Sequence, residues 1–549
     1  MARAMLRSSR RGRRSYSKRL IRFSRKPSPF CQRLEVRVTS ELSWDRQVYS
    51  LMLHHLTPAR LPGKPTGIIC LLLLLLTSIS TNSLATDIHL PEIGDPSGNL
   101  ITPAEEQRFG QAFMRNIRSS MNVLADPLVE SYIQSLGERL VEGSDTPGRR
   151  FHFFLVDAPE INAFAGPSGY IGTYTGLITA TQSESELASV LAHEAAHVSQ
   201  QHLLRTFDAV QRMSLPMAAL TVAAIVIGAA ADNPDAGVAA FTGIQAGMAQ
   251  RQINFTRTHE EEADRIGIQS LANAGFEPQA MATFFARMGK ASRLYDSGQL
   301  PEFLRTHPVT SNRIADAYGR ADVHRYQQRP DSLEYHLLRA KLRSAEFADP
   351  REAILFFEKS LNEGRFRNEE GQRYGHLLSL LAGRRYQEAK SELVILQKKR
   401  PQQVDYIVAG ALIEKGIGHP KNGLEILREG LEIHPGNYPL SIYYAQALLD
   451  HGDAAKVIPL LEEQIHDQPD NTTLYKLLAQ AAGDSGNETQ GRRYLSEYHY
   501  HSGDLQAAIK QLQQALSDRS IDYYQSAVMA ARLKALRLEL KELKERKKE

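Results

Sequence analysis

The sequence predicts an α+β domain followed by an all-α solenoid of tandem helix pairs. Its 549 residues exceed what one hydrophobic core normally supports, so several domains are expected. An HExxH motif at residues 193–197 lies in a helical pattern, downstream of short apolar runs typical of strands. A 34-residue repeat of proline, glycine and apolar positions occupies the C-terminal part. These two patterns define the two predicted domains.

The N-terminal part, residues 1–85, predicts a basic extension and a secretory signal. Residues 1–64 contain 16 Lys or Arg against 3 acidic residues, so a chain of overall charge +4 is acidic in its remaining part. We therefore expect no nucleic-acid binding. The apolar run Ile68–Ile79 precedes the small residues around Ala85, which predicts secretion with cleavage after Ala85.

Two alternatives remain open for this leader. The run Ile68–Ile79 is short for a membrane span, but as an uncleaved anchor it would keep the protein on a membrane. An Arg-rich stretch is unusual ahead of a signal, which favours Met52 as the true start; the alternative is a solvated, disordered extension. Cys31 and Cys70 precede the predicted cut, so the mature chain needs no disulfide and has no cysteine chemistry.

The first domain, residues 86–329, combines helical and extended patterns. Residues 102–149 are predicted to be helical, because apolar residues recur on one helix face from Val129 to Leu140. Residues 151–157 predict a buried strand, and residues 169–178 a second strand or hairpin arm after a Gly-Pro turn. An extended substrate could add itself to the edge of such a small sheet.

The HExxH helix carries the residues typical of metal chemistry. Ser183, with a glutamate three residues later, predicts a capping box at its start. His193 and His197 project from one helix face about a turn apart, so both imidazoles can bind one metal ion. Glu194 lies beside that face, where it can take a proton from a water molecule at the metal. His202 points round the helix and is expected at the surface rather than at the metal.

A catalytic zinc site needs a third protein ligand and keeps its fourth position for water. The best candidate lies in the helical segment Thr258–Gly267, which contains three successive glutamates. Successive helical residues point about 100° apart, so at most one of them can face the metal. Glu260 shares a face with Asp264, whose carboxylate can accept the second ring N–H of a ligand histidine. The alternative is a solvated acidic helix face.

These motifs resemble those of the gluzincin metallopeptidases related to CAAX prenyl proteases. The resemblance rests on His-Glu-Ala-Ala-His at 193–197, Glu-Glu-Glu-Ala-Asp at 260–264, Ile-Asn-Ala-Phe-Ala at 161–165 with its Pro-x-Gly turn, and Thr-His-Pro at 306–308 followed by Arg313. The resemblance runs from about residue 95 to the C-terminal region, and the order of the four motifs is highly specific. It implies a zincin-like metallopeptidase domain.

The resemblance also implies one Zn²⁺ per chain and a role for each site residue. A His307 imidazole on the fourth zinc position would hold the enzyme latent until its loop moves; the alternative is an exposed loop histidine. Ser168 stands where the family usually has glycine. The expected site consists of the metal ligands His193, His197 and Glu260, the general base Glu194, the possible fourth ligand His307, the supporting residues Asp264 and Arg313, and the substrate edge Asn162, Ala163 and Phe164.

An apolar segment, Ser214–Ala231, separates the two zinc motifs. Its length approaches a membrane span, but Pro216, Gly228 and many alanines weaken it in that role. It predicts a helical hairpin packed over or beside the active site, with a peripheral membrane contact as the alternative.

Residues 330–525 predict tetratricopeptide repeats. Several position types recur with a spacing of 34 residues, and this period is typical of helix pairs stacked into a solenoid that binds proteins and does no chemistry itself. Four or more units are expected, followed by a charged amphipathic helix over residues 526–549 as a candidate cap. The recurring positions are Pro401, Pro435 and Pro469; Ala411, Ala445 and Ala479; Leu393, Leu427, Leu461 and Leu495; and Gly418, Gly452 and Gly486.

The sequence is compatible with three functions. The resemblance implies a periplasmic zinc endopeptidase with chaperone-like activity. Its expected substrates are unfolded or stalled outer-membrane β-barrel proteins, and its repeats would bind the outer-membrane assembly machinery. The second function is a repeat-based chaperone or adaptor whose protease site is largely latent. The third is a membrane-anchored protease that retains Ile68–Ile79.

Overall fold

The structure describes most of both predicted domains. A computed structural model of the chain describes residues 102–206, 249–294, 302–324, 329–518 and 520–546. The predicted leader and the apolar segment Ser214–Ala231 lie outside these residues. Within the described ranges, no helix combines the length and the apolar character that crossing a bilayer requires.

A three-stranded sheet forms the centre of the first domain. Its strands are β1 (His152–Val156), β2 (Ala163–Ala165) and β3 (Tyr170–Tyr174), in the order β1-β3-β2. β3 pairs in parallel with β1 and antiparallel with β2. Gly172 lies opposite both Phe154 and Phe164, and a Cβ at Gly172 would come within 2.3 Å of the Phe164 ring. β2 therefore forms one edge of a sheet whose central strand is fully buried.

The single helical stretch predicted over residues 102–149 is two helices, α1 (Pro103–Ser120) and α2 (Pro127–Glu142). The prediction was wrong between them, because Val123 is extended and forms a bridge with Val156 of β1. Asp126 then caps α2 by accepting hydrogen bonds from two backbone N–H groups.

The prediction for residues 169–178 was right only in its first half. β3 ends at Tyr174, and α3 (Thr175–Ala180) follows it directly. The Thr175 hydroxyl exchanges hydrogen bonds with the backbone of Ala158, at 2.9 and 3.1 Å, across the loop after β1. This contact fixes the chain at the point where it leaves the sheet.

Six further helices complete the described part of the first domain, and the first of them, α4, is almost entirely buried. They are α4 (Glu184–Ser199), α5 (His202–Thr206), α6 (Ala249–Asn273), α7 (Gln279–Leu294), α8 (Glu302–Thr306) and α9 (Ser311–Ala321). Small residues let α4 and α6 approach closely: Ala196 packs against Ala263, and a Cβ at Gly267 would lie 3.1 Å from the His193 backbone nitrogen. The acidic face of α6 is thereby brought against the HExxH motif.

Only half of the predicted capping box forms at the start of α4. The Ser183 hydroxyl accepts a hydrogen bond from the Glu186 N–H at 3.2 Å. The Glu186 carboxylate instead accepts from the Gln182 N–H at 2.6 Å and pairs with Arg287 of α7. The arginine therefore draws the glutamate away from the reciprocal contact.

The second domain consists, within the described residues, of twelve α-helices that follow one another in the chain as six successive pairs. These are α10 (Leu333–Ala345) and α11 (Pro350–Asn362), α12 (Glu369–Ala382) and α13 (Tyr386–Lys399), α14 (Val404–Ile417) and α15 (Pro420–Ile433), α16 (Tyr438–His451) and α17 (Val457–Asp467), α18 (Thr472–Asp484) and α19 (Glu488–His501), and α20 (Leu505–Ala515) and α21 (Tyr523–Arg546). Gly418, Gly452 and Gly486 all have positive φ, from 83° to 103°, just after the first helix of their pairs. The 34-residue glycine spacing therefore marks, in each of these repeats, the point where an α-helix ends at a glycine in the left-handed backbone conformation.

The C-terminal helix α21 packs its apolar face on α20. Met529, Leu533 and Leu536 join the buried cluster around Leu512, and Glu539 forms an ion pair with Arg115 of α1. Further polar contacts join the two domains, including the hydrogen bonds from Tyr438 to Glu130 at 2.9 Å and from Tyr170 to Asp470 at 2.8 Å. The predicted fold class, an α+β domain followed by an all-α repeat region, is confirmed.

Candidate active site

Four side chains converge where α4, α6 and the loop after α8 meet. His193 and His197 lie one turn apart on α4, and their Nε2 atoms are 3.1 Å apart. Glu260 of α6 places its carboxylate oxygens 3.4 Å from each of these nitrogens. His307, just after α8, places Nδ1 3.1 Å from both Glu260 oxygens and 3.3 Å from His193 Nε2. The four candidate donor atoms all lie within 4.8 Å of one another.

The spacing and chemistry of this cluster fit a zinc ion. Two donors bound tetrahedrally at 2.0–2.1 Å lie about 3.3 Å apart, close to the separations in the cluster. Burial alone lowers the pKa of His193, but contacts with Asp264 and Glu260 outweigh it and raise that pKa to about 10. The surroundings therefore favour a positive charge at His193, which a metal cation could supply in place of the proton.

Asp264 and Arg313 support the His193 side of the cluster. Asp264 Oδ1 lies 3.0 Å from His193 Nδ1, which leaves Nε2 directed at the other donor atoms. Arg313 binds both oxygens of Asp264, at 2.7 and 2.8 Å, and its Nη1 lies 2.9 Å from Glu260 Oε2. It also donates to the Pro308 carbonyl at 2.9 Å. One buried guanidinium thus joins both acidic residues of α6 to the His307 loop.

His202 supports the other histidine, and the prediction that it lies at the surface was wrong. His202 is 3% exposed, its Nδ1 lies 2.9 Å from His197 Nδ1, and its Nε2 lies 3.0 Å from Glu262 Oε2. Its ring stacks on His259 with centroids 4.0 Å apart. Burial, and next the neighbouring His197, lower the pKa of His202 to about 2, so its ring is neutral and can accept a hydrogen bond.

The error at His202 comes from the assumption that the HExxH helix continues. The helix ends at Ser199, and Gln201 adopts a positive φ of 52° that turns the chain into α5. His202 is thereby redirected towards the site. The polar Gln200-Gln201 pair is only a weak signal for such a turn, since either residue is compatible with a helix.

Glu194 lies at the floor of a cavity of about 260 Å³. Its side chain is fully buried, and Oε1 is 3.4 Å from His307 Nε2. Neither carboxylate oxygen has a hydrogen-bond partner among the residues that the structure describes. Buried carboxylates are rarely left in this condition, so the geometry suits a group that exchanges a proton with water or substrate.

The edge strand β2 borders this cavity, but only one of the three predicted substrate-edge residues, Phe164, lines it. Phe164 lines the cavity together with Ala165 and the turn 166–168 that follows. Asn162 and Ala163 are buried and do not line the cavity. The Asn162 carbonyl accepts from the Tyr174 N–H at 3.0 Å, and the Asn162 side chain accepts from the Ala163 N–H at 2.9 Å. Ser168 in the turn has φ 59° and ψ 27°, a left-handed conformation that explains the glycine expected there.

The fold and the site define a metallopeptidase with a tetratricopeptide region. The family model "Peptidase family M48" matches residues 127–321, and a "Tetratricopeptide repeat" model matches residues 418–481. The first range contains every residue of the metal cluster. The chain is therefore a metalloprotease, as predicted.

Similar proteins narrow the class further. The chain is 33% identical to the beta-barrel assembly-enhancing protease of Escherichia coli (strain K12) over 448 residues, 82% of this chain and 91% of that protein. It is also 33% identical to the protein of that name from Yersinia pestis, over 68% of this chain and 76% of that protein. A mitochondrial metalloendopeptidase of Danio rerio is 29% identical over 37% of this chain and 43% of its own length. The chain belongs to the beta-barrel assembly-enhancing protease family.

Proposed function

We propose that the chain is a periplasmic zinc endopeptidase acting in the assembly and quality control of outer-membrane β-barrel proteins. The observation that carries the proposal is the cluster of His193, His197 and Glu260 at the spacing of one zinc coordination sphere, with Glu194 beside it. Three protein donors of this kind are typical of catalytic zinc sites. A zinc ion bound there would polarise a peptide carbonyl and make a water molecule more acidic.

Glu194 acts as the general base and then as the acid. Its two buried oxygens, free of hydrogen-bond partners among the described residues, can accept a proton from the attacking water and return it to the leaving amine. Arg313 keeps Glu260 in place through the contact at 2.9 Å. The chain's own residues therefore supply both proton transfers and the rigid frame around them.

The substrate lies as an added strand on β2. Within the described residues β2 pairs with β3 alone, so its outer edge offers backbone groups along the cavity wall. Main-chain pairing binds an extended peptide without reading its sequence, and Phe164 and the turn after it would select by shape. This mode suits a protease that acts on unfolded β-rich chains.

His307 holds the site latent by filling the fourth position. The His307 ring stacks on Phe303, with centroids 5.1 Å apart, and the backbone N–H of His307 donates to the Phe303 carbonyl at 2.8 Å. Activation requires this loop to leave the cluster. The same contacts favour the second function, a repeat-based chaperone or adaptor that seldom cuts. A His307→Ala variant should cleave unfolded protein faster than wild type, whereas His419→Ala on the exposed repeat surface should not.

The cellular role rests on the relatives' names and on the predicted secretory leader. Barrel proteins as substrates, their assembly machinery as a partner of the repeats, and chaperone-like activity follow from the same proposal. Determination of the mature N-terminus separates it from a membrane-anchored protease: Thr86 at the N-terminus supports secretion, and retention of Ile68–Ile79 supports the anchor.

The experiment that tests the proposed function compares Glu194→Gln with wild type on an unfolded outer-membrane β-barrel protein. We expect cleavage to be lost and binding to be retained. Glu261→Gln, a change of the same kind at an exposed position on α6, is the matched control and should cleave normally. Equal cleavage by Glu194→Gln would reject its role as the general base.

A further inference from the structure

A cleft separate from the active site lies where the first repeat meets α3. It has a volume of about 350 Å³ and is bordered by α10, α11, α12 and the loop between the last two. We call it the basic cleft, because its lining contains Arg339, Arg343, Arg365, Arg367 and His336. No aspartate or glutamate of the described residues lines it.

The positive charge of the basic cleft is only partly neutralised. Arg343 pairs with Glu346 at 2.5 Å and Arg365 with Glu363 at 3.2 Å, both at the exposed rim. Arg339 donates to the Thr179 carbonyl at 3.0 Å, and Arg367 donates to the Gln182 carbonyl. Neither forms an ion pair with any residue in the described parts of the chain. Two guanidinium charges therefore remain for an anion to neutralise.

The interior of the basic cleft also contains donors without acceptors. Arg339 Nε and Gln372 Nε2 are buried, and neither has a hydrogen-bond partner among the residues that the structure describes. Burial, together with the neighbouring Arg367 and Arg343, lowers the pKa of Arg339, although Tyr335 and Asp331 act in the opposite direction. Buried N–H groups are normally paired in native proteins, so these two donors indicate a missing acceptor.

An aromatic wall stands beside these donors. Phe356 and Phe366 are 45% and 38% exposed, and Phe357 is buried behind them, with its ring centroid 5.2 Å from that of Phe356. Exposed phenylalanines next to unpaired guanidiniums fit a ligand in which an anionic group is joined to an apolar one. A simple inorganic anion would leave the rings uncovered.

We propose that the basic cleft binds the C-terminal carboxylate of a polypeptide whose last side chain is apolar. The guanidinium fork matches the two oxygens of a carboxylate, and the adjacent side chain would cover the phenylalanine rings. Every polypeptide ends in a carboxylate, so chain ends with an apolar last residue exist whether or not the enzyme cuts. The inference goes beyond the proposed function, since it needs neither zinc nor cleavage.

The test measures peptide binding to the full chain carrying Glu194→Gln, which keeps the peptide intact. The probe is a fluorescent octapeptide ending in leucine, and its control is the same peptide with a C-terminal amide. We expect the amide to bind at least about tenfold more weakly, because it lacks the charge that pairs with the guanidiniums. Arg339→Gln and Arg367→Gln should each weaken binding of the free acid to a similar extent.

Matched controls separate the cleft from general charge and from folding. Arg351→Gln removes an exposed arginine of α11 that does not line the cleft, and it should leave binding unchanged. Arg367 is exposed, so Arg367→Gln decides the matter if Arg339→Gln fails to fold. Equal affinity for acid and amide, or unchanged binding by Arg367→Gln, would overturn the proposal.

Two further probes distinguish other sources of the anion. Inorganic phosphate and vesicles of anionic phospholipid are tested against the same variants. If either binds in a manner that requires Arg339 and Arg367 while the peptide does not, the basic cleft is a phosphate or lipid site and the proposal is wrong. The proposal is supported if an unlabelled copy displaces the free-acid peptide and at least about tenfold more amide is needed for the same displacement.

Discussion

The two histidines of the HExxH motif have nitrogens only 3.1 Å apart, yet they are supported by different chemistry. His193 contacts the carboxylate of Asp264, which Arg313 holds at both oxygens. His197 contacts a neutral imidazole, His202. A carboxylate makes an imidazole more basic than a neutral partner does, so the two candidate ligands differ in their affinity for a cation. Within one motif, therefore, His193 has a charged supporting partner and His197 has a neutral one.

Removal of the charged support should have the largest effect. Asp264→Ala removes the carboxylate that accepts two hydrogen bonds from the Arg313 guanidinium, a group that is 5% exposed. Breaking a buried pair in this way costs about 3–5 kcal/mol, and the remaining contact with Glu260 places this variant near the lower figure. Chemical denaturation of the metal-free protein measures the loss. If Asp264→Ala lost less unfolding free energy than a His202 variant, the charged support would not be the more important of the two.

Removal of the neutral support should act mainly on the metal. His202→Ala leaves the His197 ring without its partner, and we expect zinc affinity to fall by about 10–100-fold. His202→Asn keeps an oxygen acceptor near the same place and should restore part of that affinity. Competition with a chelator measures both variants, and His419→Ala on the repeat surface is the control. If His202→Ala binds zinc like wild type, His202 is only a packing residue.

The two halves should also respond to pH in opposite directions in the metal-free protein. The pKa of His193 is raised to about 10, so its stabilising contribution is full below its unfolded value of 6.5 and is lost as pH rises towards 10. The pKa of His202 is lowered to about 2, so the folded state loses stability as pH falls below 6.5. Unfolding free energy measured against pH should therefore decline on both sides. His202→Asn should make the decline on the acid side less steep and leave the alkaline side unchanged, since His259 and His501 also have a lowered pKa.

The smallest expected effect lies in the wall of the same cavity, away from both supports. Ser168 has a left-handed backbone, so Ser168→Gly should raise the free energy of unfolding by about 0.5–1 kcal/mol. Zinc affinity should stay unchanged, because Ser168 is not one of the four residues of the metal cluster. Thermal unfolding measures the change in stability, and competition with a chelator measures the zinc affinity. A large change in zinc affinity would mean that the turn also positions the metal cluster.

Sequence spacing was informative wherever one regular element carries the pattern. The separation of His193 from His197, and of Glu260 from Asp264, is set by helix geometry, so their shared faces could be predicted without a structure. The 34-residue glycine positions likewise correspond to helix ends. In each case the information is local in the chain.

The features that the sequence did not predict depend on a change of chain direction or on distant segments. His202 reaches His197 only because Gln201 turns the backbone, and one helix became two because Val123 pairs with Val156. The basic cleft brings the Thr179 carbonyl within hydrogen-bond distance of Arg339, 160 positions later in the chain. Such contacts depend on packing between elements that are remote in the chain, so the periodicity of the sequence cannot predict them.

Zinc binding by Glu260→Gln tests the central claim most directly, because Glu260 is the donor that joins the second helix to the HExxH motif. We predict one zinc ion per wild-type chain and binding at least about a hundredfold weaker in Glu260→Gln, since a ligand matters no less than its supporting groups. Glu261→Gln, the exposed neighbour, should bind like wild type. Equal zinc affinity in wild type and Glu260→Gln would contradict the assignment of this cluster as the catalytic metal centre.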